Sequence, residues 1–155
     1  MYAFGHIMFA IFLLFEFSKS VKVALILAPL SLLPDIDLLL PIKHRDVTHS
    51  IFVIPAFILI VYLSNKLFKL NLNKNEIIIT SLLLYFSHLI SDIISGNSEV
   101  TLIPELNPYF PKFSIQPIFS SSALIDAIYG LTFYLIFLFR YLSKYYENKA
   151  NLPRR

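Results

Sequence analysis

The sequence predicts an all-α fold, a small polytopic membrane bundle of about five helices. Three observations lead there. Hydrophobic residues make up 57% of the 155-residue chain and charged residues 15%, with a mean hydropathy of +0.70; an ordinary soluble domain has roughly 45–50% apolar and about 25% charged residues. The apolar residues gather in five runs divided by spacers rich in Pro, Asn and Ser. The chain has no cysteine and three glycines, which excludes disulfide scaffolds, thiolate metal sites, cysteine nucleophiles and Gly-rich phosphate loops. Fifteen Phe and nine Tyr argue against disorder, and the length fits a single domain over residues 1–155.

The first run, Ala3 to Phe17, is broken by His6 near its start and Glu16 near its end. No Lys or Arg precedes it and no small-residue cleavage site follows, so it reads as a retained helix and not a signal peptide. Val21 to Leu33 follows a Ser/Lys connector. Ile51 to Leu63 holds Pro55 in its first turn, where a missing N–H costs little. Ile77 to Ile94 carries His88 and Asp92, and Ala123 to Leu142 carries Asp126 and Arg140. A basic tail is expected over 143–155. The shorter runs fall below the roughly 20 residues that cross a bilayer comfortably, so tilting, local thinning or incomplete crossing is open for them. The spacer from Gly96 to Ser122 is expected to be a loop on the site side, with Tyr109, Phe110, Phe113 and Phe119 as interfacial anchors or substrate-facing aromatics.

If consecutive helices alternate direction, Lys19, Lys22, Lys66, Lys69, Lys74, Arg140, Lys144, Lys149, Arg154 and Arg155 share one side, and Lys43, Arg45 and Lys112 lie opposite. The positive-inside rule then puts the C-terminus in the cytoplasm. The net charge of +3 is read as this orientation signal. No nucleic-acid partner is expected, since no basic stripe with interleaved aromatics is present.

The same alternation gathers His6, Asp35, Asp37, His44, Arg45, His49, His88, Asp92 and Asp126 on the non-basic, extracytoplasmic side. Ionisable residues in or near membrane segments are costly and persist mainly where they pair, bind ions or do chemistry. His88 and Asp92, spaced i, i+4, share a helix face and suit either one ion or a plain hydrogen bond. Asp35 and Asp37 suit a helix end or a cation. Thr48 and Ser50 read as N-caps that leave His49 at a helix start; His44 and Arg45 suit a solvated loop, and His6 a structural role. Convergence from four segments favours metal. Imidazole and carboxylate without thiolate suit zinc, manganese or iron better than calcium, and the number of candidates allows two ions.

Pro34-Asp35-Ile36-Asp37, then His44-Arg45-x-x-Thr48-His49-Ser50, then Ser87-His88-Leu89-Ile90-Ser91-Asp92 followed by Pro104 resembles the family of membrane-bound metal-dependent hydrolases described as LexA-regulated inner-membrane proteins. The ordered set covers about two thirds of the chain. The His-x-x-x-Asp element of that family is similar to zinc-dependent phospholipase C and related single-strand nucleases. Two positions depart: Asp46 stands where Gly commonly follows His-Arg, and Ser31 where Gly often precedes the Pro-Asp-x-Asp stretch.

The resemblance implies a hydrolase acting on a phosphoester. On this reading His6, Asp35, Asp37, His49, His88 and Asp92 hold one to three divalent ions, zinc first and manganese or iron as alternatives. A metal-activated water is the nucleophile. His44 lies at the mouth, Arg45 clamps a phosphate oxygen, and the proton falls to Asp37, Asp46 or Asp126. A site at a membrane face amid apolar surroundings makes a lipid or lipid-linked phosphate the substrate class. The alternative is a metal-ion transporter or ion-binding membrane protein, although transport sites usually sit near the midplane on broken helices. No His-Glu-x-x-His zincin motif and no Gly-x-Ser-x-Gly elbow is present.

Overall fold

The computed structural model describes residues 3–39, 47–95, 100–103, 113–116, 118 and 123–150. Five α-helices carry the fold: α1 (Ala3–Ser18), α2 (Val21–Leu27), α3 (Ile54–Phe68), α4 (Lys74–Ser95) and α5 (Ala123–Ala150). The all-α expectation holds, with a long 3-10 helix and a short β-hairpin added to it.

The first helix is the hub, packed against α5, α4, α2 and the 3-10 helix. It buries Phe9, Ala10, Ile11, Leu14 and Phe15. Its contact with α5 is aromatic, with ring centroids of Phe9 and Phe133 4.6 Å apart and those of Phe15 and Phe137 5.2 Å apart. Near the start of both helices the backbones almost touch. A Cβ on Gly130 would lie 3.2 Å from Gly5 Cα, and one on Gly5 would lie 2.6 Å from Asp126 Oδ1, so small residues at the crossing permit the approach. Gly5 N–H donates to Asp126 Oδ2 at 3.1 Å, so α5 supplies an acceptor for one of the donors that the first turn of α1 leaves unpaired.

Contacts at the two ends fix the helix directions. Gly5 meets Asp126 at one end, while at the other Arg140 donates to both Glu16 oxygens, at 2.7 and 3.2 Å. The first and last helices therefore run parallel. Lys22 donates to the Phe68 carbonyl at 2.9 Å, joining the start of α2 to the end of α3. The chain thus runs down, up, down, up, down, as alternation requires, with Lys19, Lys22, Lys69, Arg140 and Lys144 at one end and the His/Asp residues at the other.

The second run does not continue as α-helix to Leu33. α2 stops at Leu27, two residues before Pro29, whose ring and missing N–H oppose a further α turn. The chain goes on as a twelve-residue 3-10 helix, Ala28–Leu39, with Pro34 inside it. Side chains at i and i+3 eclipse in this geometry, and Ala28, Ser31, Pro34 and Asp37 are all buried, while Pro29, Ile36 and Leu38 are exposed. Period three thus carries Asp37 into the interior. The 3-10 rise of about 2.0 Å also lengthens the segment, giving α2 and its extension a contour of about 34 Å against a hydrocarbon thickness of about 30 Å.

Other boundaries follow local chemistry. Lys19 and Lys69 adopt left-handed backbone and end α1 and α3, and Ser20 caps α2 by accepting from Val23 N–H. Asn73 and Glu76 form a reciprocal capping box, Asn73 N–H to Glu76 Oε2 at 2.7 Å and Glu76 N–H to Asn73 Oδ1 at 3.0 Å. This starts α4 at Lys74, three residues before the apolar run. α3 continues past Leu63 to Phe68. α5 continues past Leu142 to Ala150, so residues 143–150 of the expected basic tail are helical.

The Gly96–Ser122 spacer, expected to be loop, contains an antiparallel hairpin of β1 (Val100–Ile103) and β2 (Phe113–Ile115), with Val100 opposite Ile115 and Thr101 opposite Ser114. Val100 and Thr101 are buried, and β1 packs against the turn Val47–His49 and the end of α4. The hairpin does lie on the site side. Phe113 is exposed; Tyr109, Phe110 and Phe119 lie outside the described residues.

Three helical stretches, Ile51–Phe68, Lys74–Ile94 and Ala123–Glu147, are long and apolar enough to cross a membrane, and only 11% of the apolar window in the first and in the third is buried. Leu59, Leu63 and Leu67 on α3 and Leu124, Leu131, Leu135 and Phe139 on α5 face outward. A soluble protein rarely shows so continuous an apolar surface; a bilayer covers it.

Candidate metal centre

Four segments deliver the candidate residues to one end of the bundle: the first turns of α1 (His6), the 3-10 helix (Asp35, Asp37), the turn Val47–His49 (His49) and the last turns of α4 (His88, Asp92). His6, Asp37, His49, His88 and Asp92 are 2% exposed or less. The reading of His49 as an exposed helix-start residue is corrected. Its backbone carbonyl accepts from Tyr85 O–H at 2.7 Å inside the core. Ser50 occupies an N-cap position without capping; its hydroxyl donates to the Val47 carbonyl at 2.6 Å.

Asp35, His49, His88 and Asp92 form the centre, offering one ligand atom each, all within 4.8 Å of one another. His49 Nε2 lies 2.9 Å from His88 Nε2, 3.0 Å from Asp92 Oδ2 and 3.5 Å from Asp35 Oδ1. His88 Nε2 lies 3.2 Å from Asp92 Oδ2 and 3.6 Å from Asp35 Oδ1. A tetrahedral ion with bonds of about 2.0–2.2 Å holds its ligand atoms about 3.3–3.6 Å apart; the five separations that involve the histidines, 2.9–3.6 Å, lie at or a little under that range, while the group as a whole extends up to 4.8 Å, so the side chains surround one ion's position and the two carboxylates would have to draw together to complete a tetrahedron. Both Asp35 oxygens are buried and accept a hydrogen bond from none of the described residues. A carboxylate so placed is costly, and a cation relieves it. Two carboxylates and two imidazoles also balance a divalent charge.

His6 and Asp37 flank this group. His6 Nε2 is 3.3 Å from Asp92 Oδ1, the oxygen turned away from the two other histidines, and its ring is 4.8 Å from that of His88. Asp37 sits behind His49, with Oδ2 3.7 Å from Nδ1 and accepting the Thr48 hydroxyl; Thr48 Oγ1 is in turn 3.1 Å from His49 Nδ1. Burial opposes charge on His49, but the carboxylates of Asp35 and Asp92 outweigh it and raise its pKa. Asp126 stands apart, committed to the start of α1. His44, Arg45 and Asp46 lie outside the described residues.

Several supports of the centre were not foreseen. Tyr85 steadies the His49 backbone, and the stretch Ser87–Asp92 is serviced by its own helix, with Ser87 donating to the Leu84 carbonyl and Ser91 to the Ser87 carbonyl. The i, i+4 spacing from Ser87 to Ser91 was a legible signal; the reach of Tyr85 across to His49 had none.

A bundle of lipid-facing helices with a buried His/Asp cluster of ligand spacing at one end is a small polytopic membrane protein with a candidate metal centre. The model of the YdjM inner membrane protein family matches residues 1–150, and the chain belongs to that family. No curated protein and no solved structure matches the chain.

Proposed function

We propose that this inner membrane protein is a metal-dependent hydrolase acting on the phosphoester of a lipid or lipid-linked substrate. The observation that supports it best is the convergence of Asp35, His49, His88 and Asp92 around one point, with both Asp35 oxygens buried and accepting no hydrogen bond from the described residues. These four residues would hold one ion, zinc before manganese or iron, because the donors are imidazole and carboxylate. A divalent ion in such a site supplies a hydroxide-strength nucleophile at neutral pH and an electrophile for a phosphoryl oxygen.

The chain's own residues do the rest. His6 holds the second oxygen of Asp92 and so fixes the orientation of that carboxylate. Asp37, buried behind His49, is placed to orient the ring. Asp126, engaged by Gly5 N–H, is a weaker choice of base than the sequence alone suggested. Arg45 is assigned the phosphate clamp and His44 the mouth, on the strength of their place in the His-Arg-x-x-Thr-His-Ser stretch. The lipid-facing surfaces of α3 and α5 favour a substrate that arrives through the bilayer, and placement of the cluster at one end of the bundle favours hydrolysis over transport.

The test is turnover. Purified protein in detergent with zinc or manganese is offered phospholipids, polyprenyl phosphates and water-soluble phosphomonoesters. Release of phosphate or headgroup from the lipids, lost in His88→Ala and Asp92→Ala, is the expected result. Turnover of soluble esters alone removes the lipid assignment, and metal flux into vesicles without turnover replaces the hydrolase by a transporter.

A further inference from the structure

We propose that Thr48 is a positioning residue that links Asp37 to His49 and keeps a proton on His49 Nδ1, so that Nε2, which faces Asp35, His88 and Asp92, is the nitrogen that takes a metal. The role rests on the metal reading above and adds to it a residue that reads from sequence only as a cap.

The argument is one of donors and acceptors. An ionised carboxylate only accepts, and a threonine hydroxyl has one proton to give. The Thr48 hydroxyl donates to Asp37 Oδ2, so toward His49 Nδ1, 3.1 Å away, it can only accept, and Nδ1 must carry a proton. With Nδ1 keeping its proton, a metal displaces any proton on Nε2 and takes the lone pair there. That atom is the one lying 2.9–3.5 Å from His88, Asp92 and Asp35. The hydroxyl stands between the ring and a carboxylate whose own distance to Nδ1, 3.7 Å, is too long for a hydrogen bond. Thr48 and His49 share the short turn Val47–His49, so the positioning group and its target move together. His88 has no such support, since its Nδ1 meets no partner among the described residues. Outer groups of this kind are worth about 10–100-fold in metal affinity.

The experiment titrates zinc chloride against a chromophoric chelator, using the full chain in detergent micelles. Thr48→Val, which keeps the shape and removes the hydroxyl, is expected to bind zinc about 10–100-fold more weakly, while Thr48→Ser retains wild-type affinity. Asp37→Asn added to Thr48→Val is expected to cost nothing further, because Asp37 acts through the hydroxyl. Equal affinity of wild type and Thr48→Val, or full additivity of the two substitutions, overturns the role. Should Thr48→Val fail to fold, ¹⁵N-histidine spectra of zinc-loaded wild type decide: a proton on His49 Nδ1 supports the role and zinc on Nδ1 overturns it. Wild type that binds no zinc, manganese or iron removes the metal reading itself, and this role with it.

Discussion

Replacing Gly5 by alanine tests how the first and last helices are joined. In an isolated helix Gly→Ala is favourable by about 0.5–1 kcal/mol, so a destabilised variant must owe its loss to the crossing. The new methyl would lie 2.6 Å from Asp126 Oδ1 and 2.8 Å from Tyr129 Cδ1, roughly 1 Å inside ordinary contact. Asp126 is buried and accepts Gly5 N–H, so relief requires the helices to part and that hydrogen bond to lengthen. Overpacking costs about 1–3 kcal/mol and a buried hydrogen bond lost on one side about 1–3 kcal/mol. The net loss is about 2–5 kcal/mol, or a melting temperature lower by about 5–15 °C for a chain of this size. Gly130→Ala is the companion variant on the other helix. Its methyl meets the ring of Phe4 at 2.4 Å, a side chain 45% exposed, and the Gly5 Cα at 3.2 Å, so this variant probes the same crossing without touching Asp126 and is expected to melt below wild type by less than Gly5→Ala. The assay is thermal unfolding in detergent micelles followed by circular dichroism. A Gly5→Ala protein that melts at or above wild type would refute the close crossing.

Other expectations follow from the same contacts. Tyr85→Phe leaves the buried His49 carbonyl without its donor and is expected to cost about 1–3 kcal/mol in melting experiments, together with weaker zinc binding, because the turn that carries His49 is loosened. Asn73→Ala removes one half of the capping box of α4 and is expected to cost about 1 kcal/mol, measured by the same melts, with zinc affinity unchanged because the site lies at the far end of that helix. The chain has no cysteine, so single cysteines report topology without background. Asn71→Cys is expected to react with an impermeant maleimide only from the cytoplasmic side, and Val47→Cys, which is 56% exposed beside His49, only from the opposite side; the reverse pattern would invert the assigned orientation.

Much of the bundle was legible because membrane helices announce themselves by composition. The five runs begin within three residues of the five helices, and alternation of direction correctly placed His6, His49, His88 and Asp92 at one end. What was missed has local physical causes. The apolar run Val21 to Leu33 reads as one helix, whereas the chain from Ala28 onward, with Pro29 and Pro34, has a period of three, and the burial of Ala28, Ser31, Pro34 and Asp37 as one face is not visible in the run. The Asn73-x-x-Glu76 box was visible in sequence but lay outside the apolar run used to set the boundary. The hairpin hides in a proline-rich spacer with few residues in each strand. Arg140 was taken only as an orientation charge, whereas it forks onto Glu16. Asp35 and Asp37 illustrate the limit best. Their identical chemistry made both of them ligand candidates, with Asp37 a candidate base as well, and only tertiary placement separates the residue beside His49 Nε2 from the one behind Nδ1.

The most direct test of the central claim is metal content by mass spectrometry on detergent-purified wild type, His88→Ala and Asp92→Ala, each shown to be folded. The account predicts one divalent ion per chain in wild type, zinc first, and its loss in both variants. Wild type that stays free of metal after reconstitution with zinc, manganese and iron in turn would contradict it.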